Sequence, residues 1–285
     1  MILVAGGTGR LGSQVVAALL ADGQEVRVLA RGVRTASPEV AGAETVTGSL
    51  TDQAAVDRAV TGAHTVVSAV TGFPFASPAR VDAAGNELLV RAAERAGADV
   101  VLVSVAGASP TSRMGLLRAK HEAEQALARA DVTGTVVRPE AFADLWVELL
   151  ATTAARSHRP LVFGRGDNPT GWVAVRDVAA LVVRSVQERA LRGATLTISG
   201  PERMTVRELA DRVMAANGWA GTPRHVPPAA LRVAALLPGR AGRQAEAALA
   251  MDEMPAVVDD ARSRVPGLPV TPVGDVLAER VAHHD

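Results

Sequence analysis

Residues 1–12 read Met1-Ile2-Leu3-Val4-Ala5-Gly6-Gly7-Thr8-Gly9-Arg10-Leu11-Gly12. Ile2 to Ala5 form an apolar run too short for a helix and suited to a strand buried on both faces. A glycine turn follows, and Ser13 to Leu20 then carry Val15, Val16, Leu19 and Leu20 at helical spacing. Strand, glycine turn and helix in this order are the setting that a dinucleotide fingerprint requires. Gly7, Gly9 and Gly12 satisfy G-x-G-x-x-G, and Gly6, Gly9 and Gly12 satisfy G-x-x-G-x-x-G. Such glycines let the backbone turn tightly, leave room for a pyrophosphate and bring the helix close to its strand. Free N–H groups and the dipole at the helix start then attract phosphate.

The 285 residues are enough for one large α/β domain or a core with a smaller lobe. Lys plus Arg and Asp plus Glu are equal at 30 each, so no charge excess points to nucleic acid or an anionic membrane. Aromatics are 2%, with no tyrosine, which also argues against a base-stacking surface. The absence of cysteine excludes disulfides, thiolate catalysis, cysteine-ligated zinc and iron–sulfur clusters. No stretch approaches the ~20 apolar residues of a membrane span, and the strand at Ile2 leaves no signal peptide before it. The expectation is a cytoplasmic protein, monomer or homodimer, acting on a small molecule.

Strand and helix patterns alternate after the first helix. Strands are expected at Glu25 to Ala30, Thr45 to Thr47, Thr65 to Val70, Val100 to Val105 and Thr135 to Arg138. Helices are expected at Asp52 to Val60, Arg80 to Ala96 and Met114 to Ala130. Repeated units of this length predict a Rossmann-type, doubly wound parallel sheet with helices on both faces. Beyond Pro139 a small irregular substrate lobe is expected, with a helix at Ala141 to Ala155, a strand at Leu161 to Phe163 and a glycine-rich loop at Gly164 to Gly171. Residues 1–140 form the dinucleotide-binding core, residues 173–199 return to it, and 141–285 are mainly lobe. Thr205 to Glu208 fit a capping box, which starts a helix running to Ala216. Thr271-Pro272 fits the start of a last helix. Asp52 and Asp177 are read as helix N-caps. The histidines show no ligand spacing, so no metal site is expected, and His283-His284 reads as a frayed terminus.

The residue at the end of the second strand tests the adenosine ribose. An acid there binds a free 2′-hydroxyl, whereas an arginine pairs with a 2′-phosphate. Arg31 occupies this place, with Arg34 close behind and no acid before Glu39. The cofactor expected is therefore NADP(H) in preference to NAD(H).

With these features the sequence resembles the atypical short-chain dehydrogenases, specifically NmrA-like and isoflavone-reductase-like proteins. The likeness covers roughly residues 1–215. It is carried by Val4 to Gly12, Val28 to Arg31, Gly48 to Asp52, Val66 to Val70, Asn86 to Leu89 with Ala92 to Gly97, Val101 to Ser104, Lys120 with Glu122 to Glu124, Val137 to Pro139, and Val173 to Ala179. The resemblance implies that Gly6, Gly7, Thr8, Gly9, Arg10, Leu11 and Gly12 hold the pyrophosphate and Arg31 the 2′-phosphate. It places Ser49 and Leu50 beside the adenine, and Ala69, Val70 and Thr71 along the path to the nicotinamide.

Ordinary short-chain dehydrogenases use a Tyr-x-x-x-Lys pair with a serine or threonine. Lys120 fits the lysine, Leu116 stands at the tyrosine position, and Ala106 takes the place of the serine, with Ser104 and Ser109 nearby. In the branch resembled here, a lone lysine touches the nicotinamide ribose and assists proton transfer, which makes Lys120 the catalytic candidate. The alternative is a surface lysine on a charged helix. Glu140 lies where the family's substrate cleft begins and is read as a substrate contact or a buried pairing residue. Phe142, Trp146, Phe163 and Trp172 surround the same segment as lobe core or as substrate wall, with Phe142 and Trp146 the substrate candidates among them. The function expected is hydride transfer from NAD(P)H to a small apolar carbonyl, quinone or enone without a tyrosine proton donor. The competing readings are a non-catalytic NADP(H) sensor and a non-redox isomerase or dehydratase.

Overall fold

Ile2 to Ala5 are fully enclosed, and the strand they form is flanked by a parallel strand on either side. The computed structural model describes residues 1–32 and 38–282, so Arg34 and His283-His284 lie outside the described residues. The elements run β1 (Ile2–Ala5), α1 (Arg10–Ala21), β2 (Val26–Ala30), β3 (Glu44–Thr47), α2 (Gln53–Val60), β4 (Thr65–Ser68), α3 (Asn86–Ala96), β5 (Asp99–Val103), α4 (Gly115–Arg129) and β6 (Gly134–Pro139). They continue as β7 (Ala141–Phe142), α5 (Ala143–Ala154), β8 (Leu161–Phe163), β9 (Thr170–Val173), α6 (Val175–Gln187), β10 (Thr195–Ile198), β11 (Arg203–Met204) and α7 (Val206–Ala216). Then come β12 (Arg224–Val226), α8 (Pro228–Ala234), α9 (Arg240–Met251), α10 (Ala261–Arg264) and α11 (Val273–Ala282).

Seven strands form one sheet in the order β3-β2-β1-β4-β5-β6-β10, with every pairing parallel. Alternate residues of these strands feed two apolar layers. Val4, Val67, Val101 and Val103 face α1 and α6, while Leu3, Val66, Val100 and Leu102 face the side of α2, α3 and α4. This is the Rossmann-type, doubly wound fold, and the strand order reverses between β1 and β4, the place where such sheets bind ligands.

The lobe is built on smaller sheets. β9 pairs with β7 in parallel and β11 in antiparallel fashion, and β8 pairs with β12. A third apolar layer joins Val147 and Leu150 of α5, Leu209 and Val213 of α7, and Val276 and Leu277 of α11 around Trp172, which is fully buried. Ala261, Val265 and Leu268 return to the main core.

Several expectations change. The helix expected from Arg80 is a π-turn over Ala79–Gly85 followed by α3, and the wider turn brings both Asp82 and Asn86 into the interior. Ala141 and Phe142 pair with Trp172 and Val173 as a strand before α5 begins, and Thr170-Gly171 belong to β9, not to a loop. β4 and β5 end at Ser68 and Val103, short of the expected Val70 and Val105, which leaves those ends as loops at the carboxyl edge. Asp177 is not the N-cap of α6. Ala174 holds that position, and Asp144 of α5 accepts the Val175 N–H at 2.9 Å. Asp177 is instead wholly buried, accepting the N–H and hydroxyl of Thr271 at 2.9 and 2.7 Å and facing Arg262 at 3.4 Å. Asp52 does cap α2, through bonds from the N–H groups of Ala54 and Ala55, and Thr205 with Glu208 closes the capping box of α7.

Candidate functional site

The turn between β1 and α1 is shaped by its glycines. Gly6 has a φ of +81°, which side chains rarely adopt, and a Cβ there would also lie 2.9 Å from the Ala69 carbonyl oxygen at the end of β4. A Cβ on Gly12 would sit 2.1 Å from the Gly6 oxygen, so only glycine lets the helix start this close to the strand. Gly9 is the N-cap of α1, with no side chain capping the helix and no acid in its first turn. A Cβ on Gly9 would meet only the Gly6 oxygen, at 3.3 Å, and otherwise open space. Orphan N–H groups, a positive helix end and bare space above them fit a pyrophosphate.

Around this cradle the other cofactor candidates take different places. Thr8 and Arg31 are exposed, and among the described residues no hydrogen bond or ion pair engages Arg31. Arg10 pairs with Glu148 of α5, and Leu11 packs on the core. The Ser49 hydroxyl lies 2.9 Å from that of Thr51, in a local turn, while Leu50 is buried against Gly85. Ala69 and Val70 are half-buried beside Gly6, with Thr71 exposed beyond them. The glycine turn and the 69–71 loop thus meet at the point where the strand order reverses.

Lys120 is buried, not a surface lysine of α4. Its amine donates to the carbonyls of Val70 at 2.8 Å and Val103 at 3.1 Å and lies 3.3 Å from Asp82 Oδ1. Asp82 Oδ2 accepts the Gly72 N–H at 2.9 Å. The buried Asn86 donates to the Asp82 carbonyl at 2.7 Å and accepts from the Ser68 hydroxyl. Ser104, at the end of β5, has a buried hydroxyl without a partner among the described residues. Asp82 and Asn86 are functional candidates that the sequence reading passed over. Their spacing of four, continued by Leu89, Val90 and Ala93 on a buried face, was the available signal.

One turn before Lys120, Leu116 helps line a cleft of about 210 Å³ together with Phe73, Pro78, Met114 and Ala119. Arg118, Glu122, Arg243 and Glu246 form its polar margin, and Arg243 of α9 donates twice to the Pro74 carbonyl, at 3.0 and 2.9 Å. Glu140, Phe142 and Trp146 are not among the residues lining it. Glu140 is buried at the junction of sheet and lobe, accepting from the Ser199 hydroxyl at 2.6 Å and pairing with Arg203 at 3.3 Å. Phe142 packs on the main core, and Trp146 meets Trp172 edge to face at 5.6 Å.

A family profile described as NAD(P)H-binding matches residues 6–189. The (4-alkanoyl-5-oxo-2,5-dihydrofuran-3-yl)methyl phosphate reductase of Streptomyces griseus is 35% identical over 210 residues, which are 73% of this chain and 71% of that protein. An NAD(P)H azoreductase of Xenophilus azovorans is 28% identical over 230 residues, 76% of this chain and 74% of that one. The crystal structure of an NADPH-dependent quinone oxidoreductase from Escherichia coli complexed with NADPH shares the fold. Its TM-score is 0.81 at 22% identity, covering 99% of this chain and 100% of that one. Among the described residues no helix is long and apolar enough to cross a membrane. The family match, together with a glycine cradle at the switch point of a parallel sheet, means that the chain belongs to the NAD(P)H-binding family of atypical, NmrA-like short-chain dehydrogenases, a group that includes NAD(P)H-dependent reductases.

Proposed function

We propose that the protein is an NADPH-dependent reductase of a small apolar conjugated acceptor, such as a quinone or enone. The observation that carries this reading is Leu116. At the position where tyrosine-dependent enzymes of this fold present a phenol, an apolar side chain lines a cleft at the carboxyl edge of the sheet. NADPH supplies the hydride when bound. Gly6 to Gly12 hold its pyrophosphate, Arg31 pairs with the 2′-phosphate, and Ala69 to Thr71 flank the nicotinamide. Leu116, Phe73, Met114 and Pro78 seat an apolar acceptor and keep water from it.

An isolated ketone leaves its developing negative charge on one oxygen and needs a positioned acid. A conjugated acceptor spreads that charge, so water can complete the protonation in a protein that has no tyrosine. The acceptors named for two relatives are conjugated, an azo group and an unsaturated oxo-dihydrofuran that also carries a phosphate, which supports a conjugated acceptor here. Oxidation of NADPH, followed across a panel of quinones, enones and simple ketones, tests the proposal. The expected result is turnover with the first two classes and little with the third. Tight NADPH binding without turnover of any acceptor would favour a sensor.

A further inference from the structure

We infer that Lys120 is a positioning residue, not a proton donor, and that Asp82 is the counter-charge through which it shapes the loop from Val70 to Gly72. The inference rests on the cofactor lying against that loop. A lysine ammonium has three N–H donors, and here three acceptors surround it: the carbonyls of Val70 and Val103 and the Asp82 carboxylate. Two of the N–H groups go to the carbonyls and the carboxylate faces the ammonium as an ion pair, with the side chains of Lys120 and Asp82 only 5% and 0% exposed, so the charge is held in the interior.

The bonds of the cluster converge on the ends of β4 and β5 and the loop after β4. Lys120 ties α4 to the last residue of β5 and to the loop after β4. Asp82 ties the π-turn to Gly72 of the same loop, and Asn86 joins the π-turn to Ser68, the last residue of β4. Val70 and Gly72 are therefore held from two sides by opposite charges that also hold each other. A buried ion pair contributes little net stability compared with apolar packing, but removing one partner is costly because the other charge is left bare. Asp82 Oδ1 has no hydrogen-bond partner among the described residues, so the lysine is its sole compensation. The arrangement suits fixing a geometry more than adding stability.

The test uses Asp82→Asn, Lys120→Met and the double variant in the whole chain. Three quantities are read: the dissociation constant of NADPH, hydrogen exchange of the Gly72 amide without cofactor, and kcat and KM for a quinone. Methionine fills the lysine's volume, and asparagine keeps an acceptor for Gly72, so the double variant removes both charges and leaves the loop contact. Each single variant is expected to speed Gly72 exchange and weaken NADPH binding roughly tenfold, and the double variant to recover both to within roughly threefold of the parent. If a single variant does not fold, recovery of the fold in the double variant is the same result. A proton-donating Lys120 behaves otherwise: Lys120→Met keeps NADPH affinity and Gly72 protection, loses kcat, and gains nothing from Asp82→Asn. That outcome, or a double variant no better than Lys120→Met, overturns the inference. Failure of the parent to bind NADPH would remove the proposed function, while the exchange of Gly72 would still test the pair.

Discussion

The first helix and three helices of the second half begin in different ways. α1 starts at Gly9 with no capping side chain and no acid in its first turn. By contrast Asp144 accepts the first N–H of α6, the Thr205 and Glu208 pair closes α7, and Glu202 accepts the first N–H of α11 at 3.0 Å. Asp144 and Glu202 reach their helices from elsewhere in the chain and tie them to a neighbour, while Glu208 closes its own helix. At α1 the same donors meet no capping side chain, and the glycines keep the approach clear. On the proposed reading that end binds the cofactor and the others hold the fold, so changes at the first should alter affinity and changes at the others stability.

The strongest test on the binding side is Gly9→Val. Its side chain would point into the open space above the turn, where Gly9 has only the Gly6 oxygen nearby. We expect the fold to persist and NADPH binding to fall by about 10³-fold, near 4 kcal/mol, measured by titration of cofactor fluorescence. Parent-like affinity in a folded variant would mean that the cradle does not take the pyrophosphate.

On the holding side the largest effect is expected from Asp177→Ala. It leaves the Thr271 N–H, the Thr271 hydroxyl and Arg262 without their buried acceptor. A loss of about 3 kcal/mol in unfolding free energy is expected, with NADPH affinity at saturating folded fraction unchanged. A matching drop in affinity would erase the division between the two kinds of helix start.

Arg31→Ala sharpens the comparison within the binding side. The arginine is exposed and unengaged among the described residues, so its removal should cost the fold almost nothing. NADPH affinity should fall by about 1.5–3 kcal/mol through loss of a charge-assisted contact, and NADH affinity should stay nearly constant. Equal weakening of both cofactors would take the 2′-phosphate away from Arg31.

The same contrast explains which parts of the molecule were legible in the sequence. The first strand with its glycine turn and the Asp52 and Thr205 caps follow from residues a few positions apart and stand where their spacing placed them, while β4 and β5 end two residues early. Asp177 looked like a cap because it lies near the start of a helix, but its partners are 85 and 94 residues away. Glu140 likewise finds Ser199 and Arg203 across 59 and 63 residues. Lys120 was legible as a position in a motif and not as a buried cation, because Asp82, Val70 and Val103 come to it only through the sheet. Local periodicity reports propensity and burial, whereas long-range polar pairing depends on topology.

The smallest expected effect concerns Glu202, which stands at the meeting of β11, α7 and α11. Its carboxylate accepts from Arg212 at 2.8 Å and from the Val273 N–H at 3.0 Å. The Arg212 bond first, and the Val273 N–H with it, hold its pKa below the usual glutamate value despite some opposing desolvation. A carboxylate whose pKa is lower folded than unfolded adds stability above the unfolded pKa, and that stability is lost as pH falls through the depressed folded value. Glu202→Gln should therefore lower the melting temperature at pH 7 by only ~2 °C, since the group is partly exposed and screened. The difference between variant and parent should shrink toward zero as pH drops below the ordinary glutamate range. NADPH affinity should not move at any pH where the protein is folded. A gap in melting temperature that stays constant down to pH 3 would show that Glu202 acts through packing and not through its charge at the start of α11.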